Sequence, residues 1–140
     1  MTLYVLDTDH LTLLRYGQAA VTARVDDTPV DQLATTIVTI EEQLTGWYTQ
    51  IRKSRDLEKL ARSYAGLFQV IESVTLLRVL PFTRPALQRY FELRKLLPRL
   101  GKLDLAISAI VLEYNGVLVT RNRRDFEQVP GLSIEDWTQS

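Results

Sequence analysis

Short apolar runs alternate with longer amphipathic stretches along the chain. The runs are rich in aliphatic and β-branched residues and only a few residues long, as is typical of buried strands. They predict strands at residues 3–6, 34–38, 77–81, 117–120 and near 132–134. Strands separated by long helical crossovers pair in parallel, so the pattern predicts an α/β fold. We expect a mainly parallel central sheet of four or five strands with helices on both faces.

The stretches between these strands carry apolar residues at three- and four-residue steps, which predicts helices. One helix is expected to begin with a cap at Thr39 and to carry Glu41, Glu42, Leu44 and Trp47. The remaining helices are predicted at residues 9–16, 19–25, 54–74, 83–97 and 103–114.

Composition narrows the class of protein. A chain of 140 residues that is 46% hydrophobic is expected to form one globular domain over residues 1–140. Without cysteine, any bound metal would be held by oxygen or by the only histidine, His10. The sequence has no secretory leader and no apolar run of about 20 residues, so we expect a cytoplasmic protein without a membrane partner.

Charge is balanced overall but uneven locally. A net charge of zero argues against a protein that holds nucleic acid by bulk charge. Residues 84–102, however, contain six basic side chains against the single acid Glu92. A second basic cluster follows the fourth predicted strand, with Arg121, Arg123 and Arg124. These two segments are candidates for contact with a polyanion.

Oxygen-bearing side chains recur just after predicted strands or near helix starts. The carboxyl ends of parallel strands meet at one edge of a sheet, so we expect these side chains to converge. A carboxylate cluster without a nearby lysine suits a hydrated Mg2+ or Mn2+ ion. Such an ion activates water and stabilises the charge that develops on a phosphate. The residues concerned are Asp7, Glu42, Asp104, Thr120, Asn122 and Asp125.

Each acid also has a purely structural interpretation. Asp7 or Asp9 suits the N-cap of the following helix, and Asp125 suits a cap before Phe126. Asp104 lies in a first helical turn, where the helix dipole favours a negative charge. The metal hypothesis therefore depends on the acids acting together.

Four segments, taken in order, carry a resemblance to a known family. They are LDTDH, IVTIEEQLTGW, LGKLDLAISAI and LVTRNRRDFEQVPGLSIEDW, and the likeness as a whole extends over residues 3–137. The set resembles the PIN-domain family, in particular the VapC-like ribonuclease toxins of bacterial toxin–antitoxin pairs. The resemblance implies a PIN-like three-layer sandwich and a metal-dependent endoribonuclease that hydrolyses RNA phosphodiester bonds.

The resemblance also assigns site residues. Asp7, Glu42 in E-x-L-x-G and Asp104 in G-x-x-D match the family's acids. Asp7 and Asp104 would bind the ion directly, and Glu42 would bind it through water or help to position the attacking water. Many relatives have a fourth aspartate where this chain has Asn122, so either Asn122 or Asp125 would fill that position. Asp9 would lie outside the ligands, and His10 on the helix surface or behind them. Substrate contacts would come from Thr120, Arg121, Arg123, Arg124, Arg99 and Lys102.

The family's partners are a second copy of the chain and a small antitoxin protein. Hydrophobic candidates for these contacts are Leu11, Leu14, Leu57, Leu60 and Tyr64, although the same stripe suits a core. Most other aromatic residues are expected in the core or at an interface, and Trp137 over the end of the last strand.

Two other functions stay open on sequence grounds. If Asn122 disables the metal site, the chain would be a silent RNA-binding or assembly module on the same fold. A strand followed by D-x-D also opens haloacid-dehalogenase-type phosphatases, but Leu11 stands where that motif requires threonine or valine.

Overall fold

The computed structural model, which describes residues 1–139, contains one five-stranded parallel sheet in the order β3-β2-β1-β4-β5. This confirms the predicted α/β architecture, with all five strands parallel. The strands are β1 (Tyr4–Leu6), β2 (Leu33–Thr36), β3 (Arg78–Leu80), β4 (Val117–Val119) and β5 (Ser133–Glu135).

Seven α-helices connect the strands, and a 3-10 turn (Val30–Gln32) precedes β2. Several begin at a side chain that accepts a hydrogen bond from the first helical turn, as at Asp56 and Thr83. The helices are α1 (Thr8–Arg15), α2 (Ala19–Asp26), α3 (Ile37–Lys53), α4 (Leu57–Leu76), α5 (Arg84–Leu96), α6 (Lys102–Glu113) and α7 (Arg123–Phe126).

The boundary between β2 and α3 corrects the sequence prediction. The cap is Thr36, whose Oγ1 accepts a hydrogen bond from the Thr39 backbone N–H at 3.0 Å. Ile37 and Val38 are β-branched, which favoured a strand in the prediction, but they form the first turn of the helix. Glu42 consequently lies in the second turn of α3.

Two apolar clusters lie on opposite sides of the sheet, because successive strand residues point to opposite faces. Val5 and Leu118 pack with residues of α5 and α6. Leu6 and Val119 pack with residues of α1, α2 and α4. The structure therefore has the predicted three layers. Within the described residues, no helix is long and apolar enough to cross a membrane.

Several aromatic side chains that were predicted in the core or at an interface lie on the surface. Tyr64 and Phe68 of α4 are 57% and 64% exposed, and Phe91 of α5 is 56% exposed. Exposure of these rings is compatible with an interface but contradicts a place in the core. For Leu11 the structure decides between the two expected positions, because its side chain is buried in the core and not available to a partner.

Candidate metal and active site

An acidic cavity of about 380 Å³ lies beyond the carboxyl ends of β1, β2 and β4. This is the position expected for a binding site in an open parallel sheet. Four carboxylates and one guanidinium line it. The lining residues are Asp7, Thr8, Asp9, Glu42, Asp104, Ile107, Arg121, Asn122 and Phe126.

Asp7 serves both the helix and the cavity. Its Oδ1 accepts a hydrogen bond from the His10 backbone N–H at 2.7 Å, which makes Asp7 the N-cap of α1. The residue is 7% exposed and lines the cavity. The capping role and the candidate ligand role therefore do not exclude each other.

Glu42 and Asp104 enter the same cavity from α3 and α6. The Thr8 hydroxyl donates to Glu42 Oε1 at 3.0 Å. Burial raises the pKa of Glu42, the Thr8 hydrogen bond opposes this, and the charges of Asp104, Asp7 and Glu41 raise it further. Glu41 itself is exposed and does not line the acidic cavity, as expected.

The pKa of Asp104 is raised as well. Burial is the main cause, and repulsion from the carboxylates of Asp125 and Asp7 adds to it. Half-buried acids that repel one another are the electrostatic situation that a bound cation relieves. With oxygen-only donors, the cavity fits a hard divalent ion.

The loop after β4 brings Asn122, and not Asp125, to the cavity wall. The Asn122 side-chain Nδ2 donates to Asp125 Oδ2 at 3.1 Å, which leaves the amide oxygen available to a ligand. Thr120 is fully buried, and its Oγ1 accepts from the Asn122 backbone N–H at 3.0 Å. Its hydroxyl thus fixes the loop, and direct contact with substrate would require the loop to open.

Arg121 is the one basic side chain among the described residues that line the cavity. Its Nε lies 2.6 Å from Asp9 Oδ2, and a second guanidinium nitrogen donates to Asp9 Oδ1 at 3.0 Å. Hydrogen bonding to Asp9 raises the pKa of Arg121. The charge of Asp9 is therefore offset by Arg121 at the rim of the cavity. The other predicted substrate contacts are exposed but do not line the cavity; they are Arg99, Lys102, Arg123 and Arg124.

Of the two positions expected for His10, the helix surface is wrong, because the side chain is completely buried; His10 lies behind Asp7 instead. Its Nδ1 lies 3.3 Å from Asp7 Oδ1, and its Nε2 accepts a hydrogen bond from the Trp137 backbone N–H at 3.2 Å. Candidate ligand atoms of Asp7, Asp9 and His10 all lie within 4.8 Å of one another. Both imidazole nitrogens are already engaged, however, so His10 is poorly placed to bind a metal.

Two features of the cavity were missed from sequence. The Thr8 hydroxyl in α1 donates to Glu42 in α3, and these two helices follow the neighbouring strands β1 and β2. The only sign of this contact in the sequence was a polar residue inside D-T-D. Ile107 and Phe126 form an apolar wall of the cavity, but in the sequence they are indistinguishable from core residues.

Comparison with known proteins identifies the class. Residues 4–132 match the PIN domain family model, so the chain belongs to the PIN domain family. This membership confirms the resemblance noted in the sequence and argues against the phosphatase alternative. No curated protein shows significant sequence similarity to the chain.

Solved structures with the same fold include chains described as VapBC and FitAcB. DNA-bound VapBC from Salmonella typhimurium aligns with a TM-score of 0.79 and 25% identity, over 98% of this chain and 99% of its own. VapBC-1 from nontypeable Haemophilus influenzae aligns with a TM-score of 0.78 and 22% identity, over 99% of this chain and 100% of its own. FitAcB from Neisseria gonorrhoeae aligns with a TM-score of 0.77 and 19% identity, over 99% of this chain and 100% of its own.

Proposed function

We propose that the protein is a Mg2+- or Mn2+-dependent endoribonuclease, the toxin of a toxin–antitoxin pair, with residues 1–140 acting as one nuclease domain. One observation carries the proposal: Asp7, which follows β1, meets acids from α3 and α6 in a single cavity that contains one basic side chain among its described lining residues. Such a concentration of buried negative charge is costly unless a cation offsets it.

Asp7, Glu42 and Asp104 would hold the ion. When bound, it would supply an activated water and charge stabilisation for phosphodiester hydrolysis. Glu42, fixed by Thr8, would also orient the attacking water. Asn122 would contribute a neutral oxygen where relatives have an acid, while Asp125 restores the missing negative charge from behind.

Arg121 would meet the substrate first, because it stands at the cavity rim with its guanidinium half exposed. A phosphate could share or replace Asp9 as the partner of this guanidinium, since both are oxyanions suited to its planar fork. Arg99, Lys102, Arg123 and Arg124 would extend the basic path along the RNA outside the cavity.

A small antitoxin, a second copy of this chain and a cytoplasmic location complete the proposal. The support is the class of the neighbours, which are described as VapBC and FitAcB complexes. A catalytically silent module is the second candidate, and Asn122 at the cavity wall is the observation that favours it.

Cleavage of RNA by purified, inhibitor-free protein tests the proposal. We expect cleavage of total RNA with Mg2+ or Mn2+, none with EDTA, and strong loss in Asp7→Asn and Asp104→Asn. Glu42→Gln should also lose activity, whereas the exposed neighbour Glu41→Gln should keep it. Equal cleavage by the wild type and the Asp7 and Asp104 variants would reveal a contaminating nuclease. Absence of cleavage in a folded, metal-binding wild type would favour the silent module.

A further inference from the structure

His10 connects the acidic cavity to the C-terminal segment. It lies on the first turn of α1, and its side chain has no exposed surface. One imidazole nitrogen faces Asp7, and the other faces the backbone of Trp137, which follows β5. A fully buried imidazole with both nitrogens paired is held in one orientation.

The partners of His10 define its tautomer. A backbone N–H can only donate, so Nε2, which receives the Trp137 N–H, must carry a lone pair. The proton of the neutral ring is then on Nδ1, which points at Asp7 Oδ1. Asp136 does not alter this assignment. Its Oδ1 is 3.7 Å from Nε2, beyond hydrogen-bond range, and accepts from the Thr138 backbone and hydroxyl instead.

Asp7 Oδ1 therefore receives two donors, the backbone N–H and the Nδ1–H of His10. Two bonds to one oxygen fix the rotation of the carboxylate and leave Oδ2 free of these contacts. The anchor behind His10 is itself rigid. The Trp137 ring is fully buried, packs 5.3 Å from the Tyr4 ring and donates through Nε1 to Glu135.

We propose that His10 is a positioning residue that orients the Asp7 carboxylate for metal binding, using the Trp137 backbone as its fixed point. The inference rests on the proposed function in one respect, because it takes Asp7 as a metal ligand. It assigns His10 neither a metal bond nor a proton transfer. Its role is comparable to that of the groups behind metal ligands, whose loss typically lowers metal affinity by about 10- to 100-fold.

Spectroscopy of the unmodified protein supplies the first test. The chain has one histidine, so 15N labelling of histidine gives the signals of a single imidazole. We expect a protonated Nδ1 and an unprotonated Nε2, and a shift of the Nδ1–H signal when Mg2+ is added. The opposite tautomer would overturn the inference, because Nδ1 would then lack the proton that it donates to Asp7.

Two substitutions separate the two contacts of His10. In His10→Asn the amide nitrogen occupies the Nδ1 position and can still donate to Asp7, but nothing reaches Trp137. In His10→Gln the amide lies at the Nε2 position and keeps the Trp137 contact only. Both remove the ring from the same buried space, so they act as matched controls for packing.

Binding of Mn2+, measured by calorimetry on variants shown to be folded by circular dichroism, is the readout. We expect His10→Asn to bind within about threefold of the wild type and His10→Gln to bind at least about tenfold more weakly. Equal affinity of His10→Gln and wild type would overturn the inference and leave the proposed function intact. Failure of the wild type to bind Mn2+ would instead overturn the proposed function, and the inference with it.

Discussion

The indole of Trp47 in α3 fills the space that a side chain at Gly66 in α4 would need. A Cβ at Gly66 would overlap Cε2 and Cζ2 of the ring. Helices α3 and α4 pack against each other, and α3 carries Glu42. The contact between the tryptophan and the glycine therefore helps to set the position of the helix that supplies one of the acids.

Gly66→Ala should destabilise the protein by about 1–3 kcal/mol, because the added methyl must push a large ring out of its place. Urea unfolding measures the effect. Gly46→Ala is the matched control, since Gly46 is also inside a helix but has nothing within 4 Å of the position that a Cβ would take. It should be neutral or stabilising by up to about 1 kcal/mol. Similar changes in the two variants would contradict the packing argument.

Removing a carboxylate should stabilise the metal-free protein at neutral pH. The pKa of Asp104 is raised in the folded state, so folding favours its protonated form. Its contribution to stability is complete below the unfolded pKa and falls as pH rises through the interval up to the folded pKa. Asp104→Asn removes that loss. We expect a higher urea midpoint in EDTA at neutral pH, and a smaller difference from wild type under acidic conditions.

Glu42 should show the same pH dependence, because burial raises its pKa as well. Its contribution to the free energy of unfolding therefore also falls as pH rises. A wild type that becomes more stable relative to Asp104→Asn as pH rises in EDTA would show that the acids are already compensated within the protein. With Mg2+ present at neutral pH, the wild type should instead be more stable than Asp104→Asn, because binding to the native state adds stability by mass action.

Asn122→Asp should strengthen Mn2+ binding, because affinity for hard cations grows with the number of charged oxygen ligands. The same change places a carboxylate against Asp125, which Asn122 now contacts through its amide. The metal-free variant should therefore be less stable than wild type. Calorimetry and thermal unfolding check the two effects. Asn122→Ala is the control and should weaken binding. Unchanged Mn2+ affinity in both variants would place Asn122 outside the metal site.

Arg121→Ala should weaken RNA binding with little effect on stability, since exposed ion pairs contribute little to the free energy of unfolding. Loss of one phosphate contact lowers the slope of log affinity against log salt by about 0.7 for a single strand. Fluorescence anisotropy with a labelled RNA at several salt concentrations measures it. Arg123→Ala, which removes a basic residue that does not line the cavity, should change the affinity less. Equal losses would indicate bulk attraction rather than a rim contact.

Much of the fold and the meeting of the acids followed from sequence. Acids just after parallel strands or near the starts of helices were expected at one edge of the sheet, and Asp7, Glu42 and Asp104 do line one cavity. The cap at Thr36 was missed because local β-branched propensity favoured a longer strand, whereas burial of the helix face decided the boundary. The pairing of His10 with Trp137 was beyond prediction, since 127 positions separate them and no periodic signal links them.

The middle position of β1 in the sheet also determines when the site can exist. One neighbour of β1 is β4, and the paired residues Tyr4 and Val117 lie near opposite ends of the chain. A chain emerging from the ribosome therefore carries Asp7 long before the strand and loop that deliver Arg121 and Asn122. The cavity can therefore form only after β4 and the loop that follows it have been synthesised, so a growing chain that stops before them carries Asp7 and Glu42 without an assembled site.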